Sequence, residues 1–196
     1  MDCPKKLNIG SGKDFKEDFL NLDIDPSWSP DIVLDISKPL PEEVSFDTER
    51  FGKIEIVKNS FEMIIAYDVL EHIPNLSDAV KNCLDLLNMD GILEFFVPYD
   101  LSYGAWQDPG HVRAFNERSW LYFTDWFWYL GWKEARFKLE KLDYYFSDLG
   151  KELRKKDISV SEIACTPRAV DSLFGVLKKI PLTEEDVKNL EKFRPA

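Results

Sequence analysis

Histidine, cysteine and glycine are scarce in this chain, with two, three and nine copies among 196 residues. The cysteines, Cys3, Cys83 and Cys165, are odd in number and scattered, without CxxC spacing. That argues against a disulfide framework and a thiolate metal centre, and for free thiols in a reducing compartment. No cluster of potential ligands is visible, so no metal is expected. Positive charge is also short: 25 Lys and Arg against 36 Asp and Glu, a net charge of -11. A surface built for nucleic-acid phosphates should be basic, so DNA or RNA is not the expected partner. No uncharged stretch approaches the ~18 residues of a membrane span. MDCPKKLNIG has no apolar run of the signal-peptide kind. The expectation is a cytoplasmic protein without a membrane partner.

What is present is enough for a sizeable core: 44% of residues are apolar and 14% aromatic. The length suits one domain, at most with an appendage. Short apolar runs alternate with amphipathic stretches. KLNI (6–9), FLNLD (19–23), IVLDI (32–36), EMIIAYD (62–68) and ILEFFVP (92–98) read as five strands of a parallel sheet covered on both faces. KIEIV (53–57) is a further short strand candidate. Ser77 is a suitable cap for a helix over 78–88, followed by a turn at NMDG (88–91). Asn116 opens a helix through NERSWLYFTDWFWYL, and Gly131 sits where it should stop. EARFKLEKLDYYF (134–146) and ISVSEIAC (158–165) read as an antiparallel pair at the sheet edge. The boundaries that follow are a domain over 1–166 and a helical extension over 167–196 with two short helices. The second of these opens at Thr183 in a capping-box-like start. Only about ten residues separate the first two strands, too few for a full crossover helix, so 13–18 should be a reduced helix or an irregular loop.

Residues 7–25 read LNIGSGKDFKEDFLNLDID. Gly10 and Gly12 at a strand end let the backbone turn sharply and approach a ligand. A dinucleotide site needs a third glycine, and here that position is Phe15. Pyrophosphate is therefore disfavoured. Asp23, or nearby Asp25, can accept both hydroxyls of a ribose, and Asp35 can accept from an adenine amino group. Together they describe a nucleoside site with no provision for phosphate.

NIGSG, the acid in NLDID, IVLDI, the block AYDVLEHI and LLNMDGILEFFVP follow one another over residues 6–98. In that order they resemble the class I S-adenosylmethionine-dependent methyltransferases, in their methyltransferase-domain-11-like branch. WQDPGHVRAFNERSW (106–120) is similar to small bacterial methyltransferases associated with surface-polysaccharide synthesis. The resemblance implies a Rossmann-like α/β sheet in the order 3-2-1-4-5-7-6 with an antiparallel edge strand. S-adenosylmethionine is the implied cofactor. Gly10 and Gly12 would lie under its methionine part, Asp23 on its ribose, and Asp35 with Ile36 on its adenine. Tyr67 and Asp68 would face the methionine end, with Glu71 and His72 edging the site. Asn8 stands where the family has an acid, and would hydrogen-bond the cofactor's ammonium. No Asp/Asn-Pro-Pro-aromatic tetrad follows the fourth strand, which disfavours amino-group methylation of the adenine or glutamine type.

A hydroxyl acceptor needs a base. His111, in a Pro-Gly-marked loop after the fifth strand, is the candidate, with Asp108 as orienter or alternative. Its competing reading is a loop histidine bonded to backbone. Tyr99, Tyr103 and Trp106 would wall an acceptor pocket, and Arg113 would bind an acceptor carboxylate or phosphate, or else pair with Glu117. Five of the six tryptophans lie between Trp106 and Trp132. Trp120, Phe123, Phe127 and Leu130 fall near helical spacing and read as core. The wider aromatic girth suits burial on two sides or a homodimer contact. The expected activity is methyl transfer to an oxygen or nitrogen of a small metabolite, such as a sugar or polysaccharide precursor. The alternatives are a catalytically inert cofactor-binding subunit and an NAD-type dehydrogenase domain.

Overall fold

The computed structural model describes residues 4–40 and 43–193, so Cys3 lies outside the described residues. In chain order the elements are β1 (Lys6–Ile9), β2 (Leu20–Asp23), β3 (Ile32–Val33), β4 (Glu43–Thr48), β5 (Gly52–Val57), β6 (Phe61–Tyr67), α1 (Leu76–Leu86), β7 (Leu87–Pro98), α2 (Gly104–Gln107), β8 (Ala135–Phe146), α3 (Asp148–Lys155), α4 (Val160–Ala164), β9 (Val170–Pro181) and α5 (Glu184–Phe193). Seven strands form one sheet in the order β3-β2-β1-β6-β7-β9-β8, and β4 pairs with β5 in a separate hairpin. With the hairpin set aside, this is the expected 3-2-1-4-5-7-6 arrangement. The five strands from β3 to β7 are parallel, and β9 runs antiparallel to both its neighbours. Such strands are covered on both faces, so β2 is buried along its whole length. Among the described residues no helix is long and apolar enough to cross a membrane.

The first crossover is indeed an irregular loop. Its backbone polar groups still need partners, and fully buried Asn21 supplies them from within β2. Its Oδ1 accepts from the Lys16 amide (2.9 Å) and Asn8 Nδ2 (3.0 Å). Its Nδ2 donates to the carbonyls of Lys16 and Phe19 and to Asp31. Asp31 also pairs with Arg50, which donates to the Glu17 carbonyl and lies over the rings of Phe15 and Phe51. Phe15, at the position of the absent third glycine, thus helps clamp a loop in place of a helix.

Several elements differ from the expectation. The 32–36 strand is only Ile32–Val33, because Asp35 turns the chain by accepting from the Ser37 amide and hydroxyl. The first full helix starts one turn-position early, with Asn75 rather than Ser77 at its cap. NMDG stays within β7 as a bulge, Asp90 supplying the left-handed residue (φ 67°). The expected helix over 116–130 is two 3-10 turns, Leu121–Phe123 and Phe127–Leu130. The break falls at Thr124, whose hydroxyl donates to the Trp120 carbonyl, and Gly131 (φ 72°) ends the second turn as anticipated. Trp120 stacks between Phe95 and Phe115. It is core, as expected, with Phe123 and Phe127. Trp128 stacks on Phe193 of α5, so part of the aromatic girth is covered within the chain.

The 158–165 stretch is not a strand. Ser159 and Glu162 form a capping box, and that local device starts α4. The partner of β8 is instead β9, which the sequence reading assigned to a helical extension. Its alternation is masked by Lys179, which is buried because its ammonium donates to Asn59 and to the Leu87 carbonyl. The stretch from 170 to 181 therefore belongs to the sheet, and only α5 beyond it is helical. The Thr183–Asp186 capping box of α5 is present.

Asn21→Ala should cost roughly 2–4 kcal/mol, because it orphans several buried partners at once. The check is a fall in the urea midpoint without a change in the slope.

Candidate active site

The glycine turn leaves the tip of β1 under tight geometric demand. Gly10 has φ 62°, and a Cβ there would lie 2.4 Å from Val69 Cγ2. Gly12 (φ 41°) donates its amide to Asp23 Oδ2 at 2.8 Å, while the Asp25 amide reaches Asp23 Oδ1 at 2.9 Å. Asp23 is thereby fixed at the tip of β2 with one lone pair on each oxygen still unused. A cavity of about 160 Å³ opens beside it, lined by Gly10, Asp23, Asp35, Ile36, Val69 and His72. The Ser37 hydroxyl holds the Asp35 carboxyl below its ordinary pKa, so Asp35 is an anion there.

A second, more polar cavity of about 710 Å³ lies on the other side of His72. Its wall includes Lys13, Asp68, Glu71, Tyr103, Asp108 and His111. Two devices build that wall. After β6 the chain turns sharply: Asp68 adopts φ 54°, its amide bonds the Phe96 carbonyl, and a 3-10 turn over Leu70–His72 presents Glu71 and His72. The loop over 99–115 then folds back on itself. Tyr99 pairs with Phe115 at its base, and the Val112 amide donates to the Glu71 carbonyl. His111 is thus carried to Glu71.

Glu71, His72 and His111 each offer a donor atom, all within 4.8 Å of one another. This is a donor set that divalent metals accept. The Glu71 side chain is 1% exposed, and neither carboxylate oxygen has a hydrogen-bond partner among the described residues. Burial raises its carboxyl to about 7, and the charges of Asp68 and Asp108 push the same way. His111 Nδ1 lies 3.1 Å from the Ala105 carbonyl, which can only accept, so Nδ1 carries the proton. Nε2 then faces Glu71 Oε1 at 3.9 Å, too far for a hydrogen bond.

No protein-family model and no curated protein matches the chain. Solved structures do. An S-adenosylmethionine-dependent methyltransferase from Archaeoglobus fulgidus superposes with a TM-score of 0.58 at 14% identity, over 90% of this chain and 86% of that one. One from Methanosarcina mazei gives 0.56 at 12%, over 93% and 95%. The chain has the class I methyltransferase fold. The [4+2]-cyclase SpnF is also similar, with a TM-score of 0.55 at 12% identity over 93% of this chain and 77% of that one. The methyltransferase fold alone therefore leaves the reaction to be argued from the site.

The structure gathers Gly10, Asp23, Asp35, Ile36 and His72 on the smaller cavity, and Asp68, Tyr103, Asp108 and His111 on the larger. Other candidates have structural engagements. Asn8 donates to Asn21 and to the Asp14 carbonyl, so its amide clamps the first loop. The Tyr67 hydroxyl bonds Glu94. Tyr99 is buried, with its hydroxyl on Glu117 and the Ala164 carbonyl. Arg113 donates to the carbonyls of Ile73 and Pro74 and pairs neither with Glu117 nor with the larger cavity. Trp106 is exposed beside the cavity and not among its lining. Asp108 does not orient the His111 ring; Ala105 does. The sequence reading missed Lys13, Gln107 and Asp171 on the larger cavity. Asp171 was hidden by the misread β9, and nothing in the spacing of the others marks them.

Glu71→Gln keeps the shape and removes the charge. An acid raised from 4.5 to about 7 stabilises fully below pH 4.5 and loses that contribution as pH rises through 7. In chelator-treated protein at pH 8 the variant should therefore be more stable than the parent by about 1–3 kcal/mol, a gain shrinking towards pH 5. Urea unfolding at the two pH values checks it.

Proposed function

We propose that the smaller chamber holds S-adenosylmethionine, and that its methyl group passes to an oxygen, or a nitrogen, of a small metabolite in the larger one. The observation that carries the reading is the pair of chambers meeting at His72. One is a compact nucleoside-sized cavity with a carboxylate at each of two strand tips. The other is a wide polar chamber aimed at the same junction. Asp23 would accept from the ribose hydroxyls, and Asp35 from the adenine amino group. The turn at Gly10 and Gly12 would pass under the methionine part. A nucleoside held this way has no phosphate to neutralise, in keeping with the lack of a helix after the turn.

Transfer from a sulfonium is an in-line displacement. The acceptor oxygen bonds the methyl carbon, the carbon–sulfur bond breaks, and its electron pair stays on sulfur. The leaving group is neutral, so the protein's task is alignment and removal of the acceptor's proton. His111, or one of the carboxylates that share the chamber with it, would take that proton. Tyr103 on the wall carries the Arg168 guanidinium over one face of its ring. Its other face would suit a sugar ring, in keeping with a sugar or a polysaccharide precursor as acceptor.

Calorimetric titration with S-adenosylhomocysteine, S-adenosylmethionine and NAD tests the reading. The first two should bind and NAD should not. Asp23→Ala should weaken S-adenosylhomocysteine roughly 10- to 100-fold, by loss of hydrogen bonds to a charged acceptor, with Asp23→Asn falling between. An unchanged affinity in Asp23→Ala would move the cofactor elsewhere. If the cofactor binds but no acceptor, including nucleotide-linked sugars, releases S-adenosylhomocysteine, the chain is a binding subunit.

A further inference from the structure

We propose that Glu71, His72 and His111 bind a divalent first-row metal ion (Mn²⁺, Fe²⁺, Co²⁺ or Zn²⁺) at the junction of the two chambers, where it holds the acceptor's oxygen. Only the last clause rests on the methyl-transfer reading. The site itself rests on three independent features of the structure.

The first is the donor set. Two imidazoles and a carboxylate converge within 4.8 Å from separate loops, one after β6 and one closing back from β7. Imidazole and carboxylate together suit first-row divalent ions, whereas Mg²⁺ and Ca²⁺ favour all-oxygen shells. Bonds of ~2.1 Å put neighbouring ligand atoms ~3–3.4 Å apart. The 3.9 Å between His111 Nε2 and Glu71 Oε1 would have to shorten by about 0.5 Å or more on binding an ion.

The second is Glu71. A carboxylate 1% exposed with neither oxygen hydrogen-bonded breaks the rule that buried charges are paired. Among the described residues it has no direct ionic hydrogen bond; His111 Nε2 approaches to 3.9 Å.

The third is the tautomer. With Nδ1–H held by the Ala105 carbonyl, the neutral His111 ring turns a lone pair, not a proton, towards the Glu71 oxygen. When Glu71 is ionised and the ring neutral, two electron-rich atoms face one gap, an arrangement that a cation between them would satisfy. A backbone carbonyl on the far nitrogen is also the usual outer support of a metal-bound histidine. Gly110 completes the closure. A Cβ there would lie 3.1 Å from both His72 Nδ1 and Asp108 Oδ1, so any larger residue would make those side chains give way by a few tenths of an ångström.

With Nε2 on the ion, His111 would no longer be free to act as the base. A hydroxyl on the ion is more acidic, so its proton passes more readily to a carboxylate of the chamber, such as Asp68 or Asp108, or to water before the oxygen attacks the methyl carbon. The larger chamber gives that oxygen access, because His72 is the exposed member of the three.

The test uses the full chain stripped with chelator and titrated with Mn²⁺, free Mn²⁺ being followed by electron paramagnetic resonance. One ion per chain should bind. Glu71→Gln and His111→Gln should each weaken it at least tenfold. Co²⁺ should give visible bands in the parent that are lost in the variants. A net charge of -11 attracts cations loosely all over the surface, so binding that persists unchanged in both variants, or no stoichiometric binding, overturns the site. S-adenosylhomocysteine is titrated into the same stripped samples. Metal binding without it leaves the site standing and sinks the methyl-transfer reading. S-adenosylhomocysteine binding without metal does the reverse. Should one variant fail to fold, the other gives the same readout.

Discussion

The arrangement depends on how Asn21 holds a loop where related folds run a helix. A parallel pair such as β1–β2 normally needs a dozen or more residues of crossover. Here there are ten between the strands, and their amides and carbonyls must be satisfied without helical bonds. Asn21 and Asn8 do that from inside the sheet, and Asp31, just before β3, holds the Asn21 side chain in place. The consequence reaches the ligand site at once. With the loop pinned on one side by Asn21, the turn above it is pinned on the other by Asp23, two residues further along β2. One short strand therefore fixes both the loop's fold and the cavity's acidic wall. A buried polar network of this kind is worth more than its bonds taken singly, because each member left alone would be an unpaired buried dipole.

The larger cavity is held by a different logic. Its residues Asp68, Glu71, Tyr103, Asp108 and His111 come from two loops, one after β6 and one after β7. Precision there comes from backbone bonds: Asp68 to Phe96, Val112 to Glu71, and Tyr99 against Phe115. These ties explain why several residues that look functional in the sequence are structural. The Tyr99 hydroxyl and Arg113 Nη2 hold the loop and the 73–74 segment in place, and His111 and Tyr103 are left to face the chamber.

The sheet was legible because short apolar runs in regular alternation have few other folds available, and the lining of the smaller cavity was legible because its residues lie at or near strand ends in chain order. Two kinds of information were not. β9 was unreadable as a strand because Lys179 interrupts its apolar face, and only the fold supplies the carbonyl and Asn59 that make its burial tolerable. The capping signal Ser159-x-x-Glu162 was present but lost to a short alternation that also fitted a strand. The Glu71–His72–His111 cluster was invisible for a different reason. Forty residues separate its members, and their convergence depends on a loop that closes on itself.

Fold likeness covers both methyltransferases and a cyclase, so the case for chemistry must come from features that a binding scaffold would not need. The buried carboxylate of Glu71, with neither oxygen hydrogen-bonded among the described residues, is such a feature. An unpaired buried charge costs stability. A subunit that only bound a nucleoside could do so with Asp23 and Asp35, and could fill the place of Glu71 with an apolar side chain. A local rule broken on the wall of the larger cavity fits the proposed site, where reaction would follow binding.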